Sequence, residues 1–214
     1  SLVGSEMCIR DSLTTGSAIY FMKHVLGNGS LLGLFSMMKM FPVIIALIFT
    51  PILVKKTGSM QKVNFWGYVI SDILGIFLII FAMQKNLPMM LLFMFLKGTF
   101  AGTMSGTLNA LIAEISGYTY RTKGVHIDGM MFSCSSLGVK VGGGIGTAAV
   151  GWLLHAAGYA GKAATQTAAA TNMIFSMYIT IPVILGVVIT ILLGLMKVEK
   201  ENKRIDMERA EQAD

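Results

Sequence analysis

Five stretches of this sequence, residues 30–54, 64–83, 87–113, 129–155 and 172–196, each run for 20 residues or more on mostly apolar side chains, and none carries more than one Asp, Glu, Lys or Arg. A helix needs about 20 such residues to cross a bilayer. In lipid, every backbone N–H and C=O must be bonded within the structure itself, as a helix bonds them. The fold class is therefore all-α, a polytopic membrane helical bundle. Composition agrees: 54% of the 214 residues are hydrophobic and 13% charged, where a soluble domain has about 25% charged. A chain of this length holds at most about seven spans, so function must sit in the helices or their short connections.

The formal charge of +6 would suggest nucleic acid as a partner in a soluble protein. Here the apolar load makes it an orientation signal, and no nucleic-acid partner is expected. Cys8 and Cys134 are too few for a disulfide framework or a metal cluster, and His24, His126 and His155 are too scattered for a metal site. No metal and no cofactor are expected.

Residues 14–26 make a mixed segment of 13 residues, too short to cross alone, and read as the last half of a helix. The count is thus five complete spans and one partial. Residues 1–12 (SLVGSEMCIRDS) have neither the pattern of a signal peptide nor that of a span. The string resembles a translated sequencing-adaptor remnant and is expected to be non-native, which sets it outside functional reasoning. Residues 13–196 are expected to form the transmembrane unit and 197–214 a charged tail, whose opposite charges at (i, i+4) suit a solvated helix. The longer connections are expected at 114–128 and 156–171.

Retained Lys and Arg mark the cytoplasmic side. Lys55, Lys56 and Lys62, Arg121 and Lys123, and Lys197, Lys200, Lys203, Arg204 and Arg209 of the tail fall on one side by alternation, against only Lys85 and Lys162 in the opposite loops. The C-terminus is expected in the cytoplasm.

The informative residues are ionisable groups in the spans, where a charge costs at least about 2.5 kcal/mol and marks a functional site by default. At about 1.5 Å per residue, Lys39 lies about 13 Å into its span from outside, Asp72 about 12 Å from inside, Lys97 about 15 Å from outside and Lys140 about 17 Å from inside. Three lysines against one aspartate ask for an anionic substrate, for carboxylates of a missing partner, or for both. Pairing of Asp72 with Lys39, or snorkelling along a tilted helix, is the bland alternative. Lys140 stands among glycines, and Gly138, Gly142 and Gly146 form one GxxxG ladder, with Gly98, Gly102 and Gly106 forming another. Small residues at this spacing let helices approach closely, for packing or for gating. No strand precedes them, which removes a nucleotide-binding reading. In the loop before the lysine helix, Arg121 or Lys123 could pair with Glu114 or Asp128 as a cytoplasmic latch, while Asp128 alone fits a cap or dipole partner. The methionines within the spans read as adaptable packing. A membrane-embedded transferase would need a clustered acidic metal motif, against which a single core Asp72 argues.

The stretch Ala113-Glu114, Gly117-Tyr118, Gly124, Asp128-Gly129, Phe132-Ser133, Lys140-Val141-Gly142, Gly151 and Gly158-Tyr159 resembles the penultimate-helix signature of the glycoside-pentoside-hexuronide:cation symporters, a branch of the major facilitator superfamily. The resemblance covers about residues 17–197. It implies the C-terminal six-helix half of a major-facilitator fold, helices 7 to 12, in a bacterial-type inner membrane. It also implies a sugar, glycoside or hexuronide substrate moved with Na⁺ or H⁺, and a missing N-terminal half that holds the cation-binding carboxylates. The family's membrane lysine matches Lys140. Acidic residues are usual in the family at the places of Gly117 and Tyr120, Arg at that of His126 and Glu at that of Asp128. Another major-facilitator solute carrier is the alternative.

Overall fold

The structure, a computed structural model, describes residues 2–163, 165–195, 204 and 207. Its elements are α1 (Leu2–His24), α2 (Leu31–Thr57), α3 (Met60–Met83), α4 (Leu87–Ala101), α5 (Thr103–Lys123), α6 (Asp128–Ala156), α7 (Ala168–Phe175), a π-helical turn (Ser176–Thr180) and α8 (Ile181–Leu195). Among the described residues five helical units are long and apolar enough to cross a membrane: Leu31–Thr57, Met60–Met83, Leu87–Lys123, Asp128–Ala156 and Ala168–Leu195. Met40, Phe49, Ile52, Ile73, Ile76, Ile184 and Ile191 point outward from these helices, an apolar surface that suits lipid and would drive aggregation in water.

Local chemistry sets the ends. Ser59 caps α3 by accepting from the Lys62 N–H at 3.1 Å, and Thr167 caps α7 by accepting from the Ala170 N–H at 3.2 Å. Both satisfy a donor that the first helical turn leaves orphaned. Gly58 and Gly124 stop α2 and α5 at φ 63° and 70°, a left-handed conformation that a side chain resists. Pro42 and Pro51 lie inside α2 without ending it.

Three expectations about boundaries are corrected. The connection expected over 114–128 is helical through Lys123, because nothing between Glu114 and Lys123 breaks a helix before Gly124; only residues 124–127 connect. The span expected over 87–113 is one longer unit, Leu87–Lys123, divided into α4 and α5 at Gly102, the middle rung of its glycine ladder. The half-helix expected from residue 14 begins at Leu2, so it is continuous with the segment set apart as adaptor-like. The tail from Lys197 lies outside the described residues, Arg204 and Met207 excepted.

The glycine ladders seat helices. A Cβ on Gly98 would lie 3.0 Å from Pro42 Cβ, one on Gly102 2.8 Å from Ala46 Cβ, and one on Gly106 2.9 Å from Leu47, so this ladder brings α4 and α5 onto α2. On α6, a Cβ on Gly142 or Gly146 would meet the backbone oxygen of Ser5 or Ile9 at 2.6 and 2.7 Å, so these two seat α6 against α1. The apolar core is divided. One cluster, around Phe21, Phe35, Leu78, Met90, Leu154 and Ile174, fills the end bearing Lys85 and Tyr159. A second, of Tyr68, Met104, Leu111, Ile189 and Leu193, fills the end bearing Lys62. Polar groups occupy the level between them.

Candidate functional site

A cavity of about 140 Å³ opens at this level, and its walls include Lys39 of α2, Lys97, Gly98 and Gly102, and Tyr178 and Pro182. The wall from the C-terminal span owes its shape to Pro182. With no N–H, Pro182 cannot bond the Tyr178 carbonyl one turn back, and the chain widens into the π-helical turn, in which the Ile181 N–H reaches five residues back to the Ser176 carbonyl. Such turns accompany functional sites often; this one presents Tyr178 and Ile179 to the cavity. Arg10 and Asp11 of α1 also line it.

Lys97 reaches from α4 across the face of α3. Its Nζ lies 3.2 Å from where a Cβ on Gly75 would stand, and Val183 of α8 lies 3.0 Å from the same point. Any side chain at position 75 would therefore displace the ammonium. One turn below, Asp72 is 9% exposed. The Thr190 hydroxyl donates to its Oδ2 at 2.6 Å and lies 3.1 Å from the Gly186 carbonyl. Gly186 is the residue that makes room, since a Cβ there would collide with Asp72 Oδ1. Lys97 acts electrostatically on Asp72, as does Arg10. Lys39 is not paired with Asp72. It donates instead to Thr15 Oγ1 at 3.0 Å, lies 4.0 Å from Asp11 Oδ1 and keeps 39% of its side chain exposed.

Asp72 belongs to a longer polar stripe. Asn64, Tyr68, Ser71 and Asp72 recur at i, i+4, i+7 and i+8, one face of a helix, and Asn64, Tyr68 and Ser71 are 1% exposed or less. Asn64 Nδ2 donates to Thr107 Oγ1 of α5 at 2.6 Å. Among the described residues, Asn64 Oδ1, Ser71 Oγ and Asp72 Oδ1 on this face are buried with no hydrogen-bond partner, while the Tyr68 hydroxyl is engaged by Arg10 of α1, whose guanidinium lies 5.6 Å from the Tyr68 ring centroid. Each unpaired atom of this kind costs about 1–3 kcal/mol, so their gathering on one helix is not incidental to packing. Sequence reasoning took only Asp72 from this stripe. The helical spacing of polar residues in an apolar span was the available signal, and Thr190 and Gly186 had none.

Of the residues singled out in the sequence, Lys39 and Lys97 share the cavity and Asp72 lies beside it. Lys140 does not join them. It is exposed on α6 in a stripe with Ser133, Ser136, Gly144 and Thr147, opposite the face that Gly142, Gly146, Val150 and Leu154 bury, and among the described residues no ion pair or hydrogen bond engages it. At the Arg121 end, Asp128 opens α6 with Ile127, not Asp128, in the capping position. The Asp128 carboxylate lies 3.7 Å from His126 Nδ1, and the His126 ring stacks on Tyr120 at 4.0 Å. Lys123 is exposed, while Glu114 and Arg121 are both engaged. At the other end, His24 and Tyr159 share a hydrogen bond of 3.2 Å, and burial and Tyr20 push the Tyr159 phenol up from its ordinary value.

A multi-pass helical bundle whose apolar core parts at mid-depth around a cavity with two ammonium groups has the build of a membrane solute carrier. Its sequence matches the family described as MFS/sugar transport protein over residues 9–200. It is 26% identical over 174 residues to an uncharacterised 29.9 kDa protein of Pseudescherichia vulneris, covering 80% of this chain and 62% of that protein. To the isoprimeverose transporter of Lactiplantibacillus pentosus it is 27% identical over 182 residues, covering 85% and 37%. To an Escherichia coli K12 protein provisionally named glycoside/cation symporter YagG it is 24% identical over 205 residues, covering 93% and 44%. The chain thus spans between 37% and 62% of the length of these relatives. No solved structure matches it. The chain belongs to the major-facilitator sugar transporters, in the glycoside-pentoside-hexuronide:cation symporter family.

Proposed function

We propose that the chain is the C-terminal half of a secondary carrier that moves a sugar, glycoside or hexuronide together with Na⁺ or H⁺ by alternating access, and that it is not an enzyme. Substrate would bind near the bilayer midplane, between this half and an N-terminal six-helix half. The observation that carries the reading is the mid-depth cavity walled by Lys39 and Lys97, in a chain whose family transports sugars. Two ammonium groups in the cavity wall, that of Lys97 held against Gly75 and Val183, favour a substrate that brings a carboxylate, which places an acidic glycoside ahead of a neutral one. Residues 1–12 would be no part of the native carrier. Asp72 and Lys140 would serve substrate or coupling, and Glu114, Arg121, Lys123 and Asp128 would latch the cytoplasmic side. The test is uptake by the complete carrier of a panel of neutral and acidic glycosides, with and without a Na⁺ or H⁺ gradient. Gradient-driven accumulation led by a uronide is expected; uptake confined to neutral glycosides and untouched by excess uronide would refute the acidic preference, and no gradient-driven uptake would refute the symport.

The membrane would be a bacterial-type inner membrane, with the C-terminus cytoplasmic. Lys56, Thr122 and Thr165 are exposed in connections or at helix ends. Cysteines at 56 and 122 are expected to label only from the cytoplasm and one at 165 only from outside, read with an impermeant maleimide on right-side-out and inverted vesicles. Labelling of 56 and 165 from the same side would overturn the orientation and the half-carrier alignment together.

A further inference from the structure

The side chain that the π-helical turn brings to the cavity is a phenol without a partner. Tyr178 is 6% exposed, and among the described residues no hydrogen bond and no charged side chain acts on its hydroxyl. Tyr68, by contrast, has the Arg10 guanidinium. A buried phenol ordinarily finds a hydrogen-bond partner, because a hydroxyl taken out of water without one destabilises the fold. The ring itself is fixed: Phe21 stacks on it at 4.5 Å with the planes 23° apart, and Phe35 stands tilted at 6.4 Å. With a face so covered, what Tyr178 offers the cavity is its edge, where the hydroxyl is.

Backbone geometry aims it there. A π-helical turn holds one residue more than a turn of α-helix, and each residue of an α-helix advances about 100° around the axis. Relative to Val183 and Gly186, which pack against α3, Tyr178 is therefore rotated by about one residue from where a regular helix would set it. Phe21, Phe35 and Pro182, which fix Tyr178, all lie within residues 13–196. The surroundings suit a carbohydrate, whose ring carries C–H groups on its faces and hydroxyls around its rim. Val43, Leu78, Met94 and Ile179 give the cavity an apolar lining, and the walls add the ammonium groups of Lys39 and Lys97. A mostly apolar cavity with a few fixed polar groups is the kind that orients a small ligand. Lys97 lies beside Val183, five residues and about 7 Å of helix beyond Tyr178, so one ligand can meet the phenol and this ammonium at two places.

We propose that Tyr178 is a specificity-determining residue of the carrier: its hydroxyl bonds one hydroxyl of the bound sugar, whose ring lies on the apolar lining and whose carboxylate, where it has one, points to Lys97. This role rests on the transport reading above and adds the sugar's orientation to it. The carboxylate lies toward the Lys62 end of the bundle, and the recognised hydroxyl toward the Tyr159 end, where Tyr178 packs with Phe21.

In the complete carrier, Tyr178→Phe is expected to weaken the apparent affinity about three- to tenfold, the worth of a neutral hydrogen bond, and by the same factor for acidic and for neutral glycosides. The best-accepted glycoside is then compared with its monodeoxy analogues, by competition at matched surface expression. One analogue is expected to lose that factor in the wild type and nothing further in Tyr178→Phe, the coupling that a double-mutant cycle reads. Without sugar, the purified Tyr178→Phe carrier should melt no lower than the wild type, because the hydroxyl removed has no partner in the protein. Unchanged affinity in Tyr178→Phe, additive losses for every analogue, or a lower melting temperature without sugar would each overturn the role. A wild type that accumulates glycosides, matched by Tyr178→Phe, removes this role and leaves the transport reading standing; a wild type that binds no glycoside removes both.

Discussion

In the complete carrier, Lys97→Met is expected to weaken the apparent affinity for an acidic glycoside by about ten- to a hundredfold, the worth of a charge-assisted hydrogen bond of about 1.5–3 kcal/mol. The same change should leave a neutral glycoside within a few-fold of the wild type. The ammonium is held by α4 against the bare Gly75 of α3 with Val183 of α8 beside it, so a substrate carboxylate reaching it replaces little bulk water. Methionine keeps the length of the stem and removes the charge. The carboxylate left behind, Asp72, keeps its hydrogen bond from Thr190, which limits the damage to the fold. Lys39→Met should cost much less. Its side chain is 39% exposed, and an ion pair in contact with water is worth about 1 kcal/mol or less. The measurement is competition of each glycoside against a labelled one, at matched surface expression. Equal losses for acidic and neutral substrates in Lys97→Met would mean that the lysine supports the cavity wall and does not read the substrate's charge.

Much of this was legible before any coordinates, because the bilayer simplifies the problem. Length and hydropathy alone located the five spans, since a helix satisfies its own backbone hydrogen bonds in hydrocarbon. Hydropathy fails at the aqueous ends: Glu114–Lys123 reads as a polar loop although it is helix, since leaving the apolar slab and leaving the helix are different events. Depth was equally legible, as counting residues placed Lys39, Asp72 and Lys97 near one level. Rotation about the helix axis was not. Whether Lys97 turns toward Asp72 or toward lipid depends on Gly75, Val183 and Gly186, residues with no polarity to announce them. The π-helical turn that aims Tyr178 follows from Pro182, a proline inside an apolar span and so a signal present in the sequence.

Rotation also separates the fourth charge from the other three. Lys140 sits near the middle of α6 on the stripe of Ser133, Ser136, Gly144 and Thr147, and a Cβ on Gly144 would meet nothing within 4 Å. The adjoining stripe of Leu137, Val141, Ile145 and Trp152 is exposed and wholly apolar, as a lipid face should be. One helix thus shows a packed face, a lipid face and a third that is neither, being small and polar with a single ammonium. A charge at this depth is tolerated when it faces water, substrate or a carboxylate, and among the described residues no carboxylate pairs with Lys140. In the complete carrier, Lys140→Met is therefore expected to abolish gradient-driven accumulation while membrane insertion stays at the wild-type level or rises, since removing a costly charge from a span eases insertion. Lys140→Arg should also be impaired, because the planar guanidinium does not occupy the space of an ammonium. Leu137→Met, on the lipid face next to it, should change neither. Initial uptake rates normalised to surface expression decide the matter: a Lys140→Met carrier that accumulates glycoside like the wild type would place this lysine on the lipid side, its head drawn along the helix to the interface.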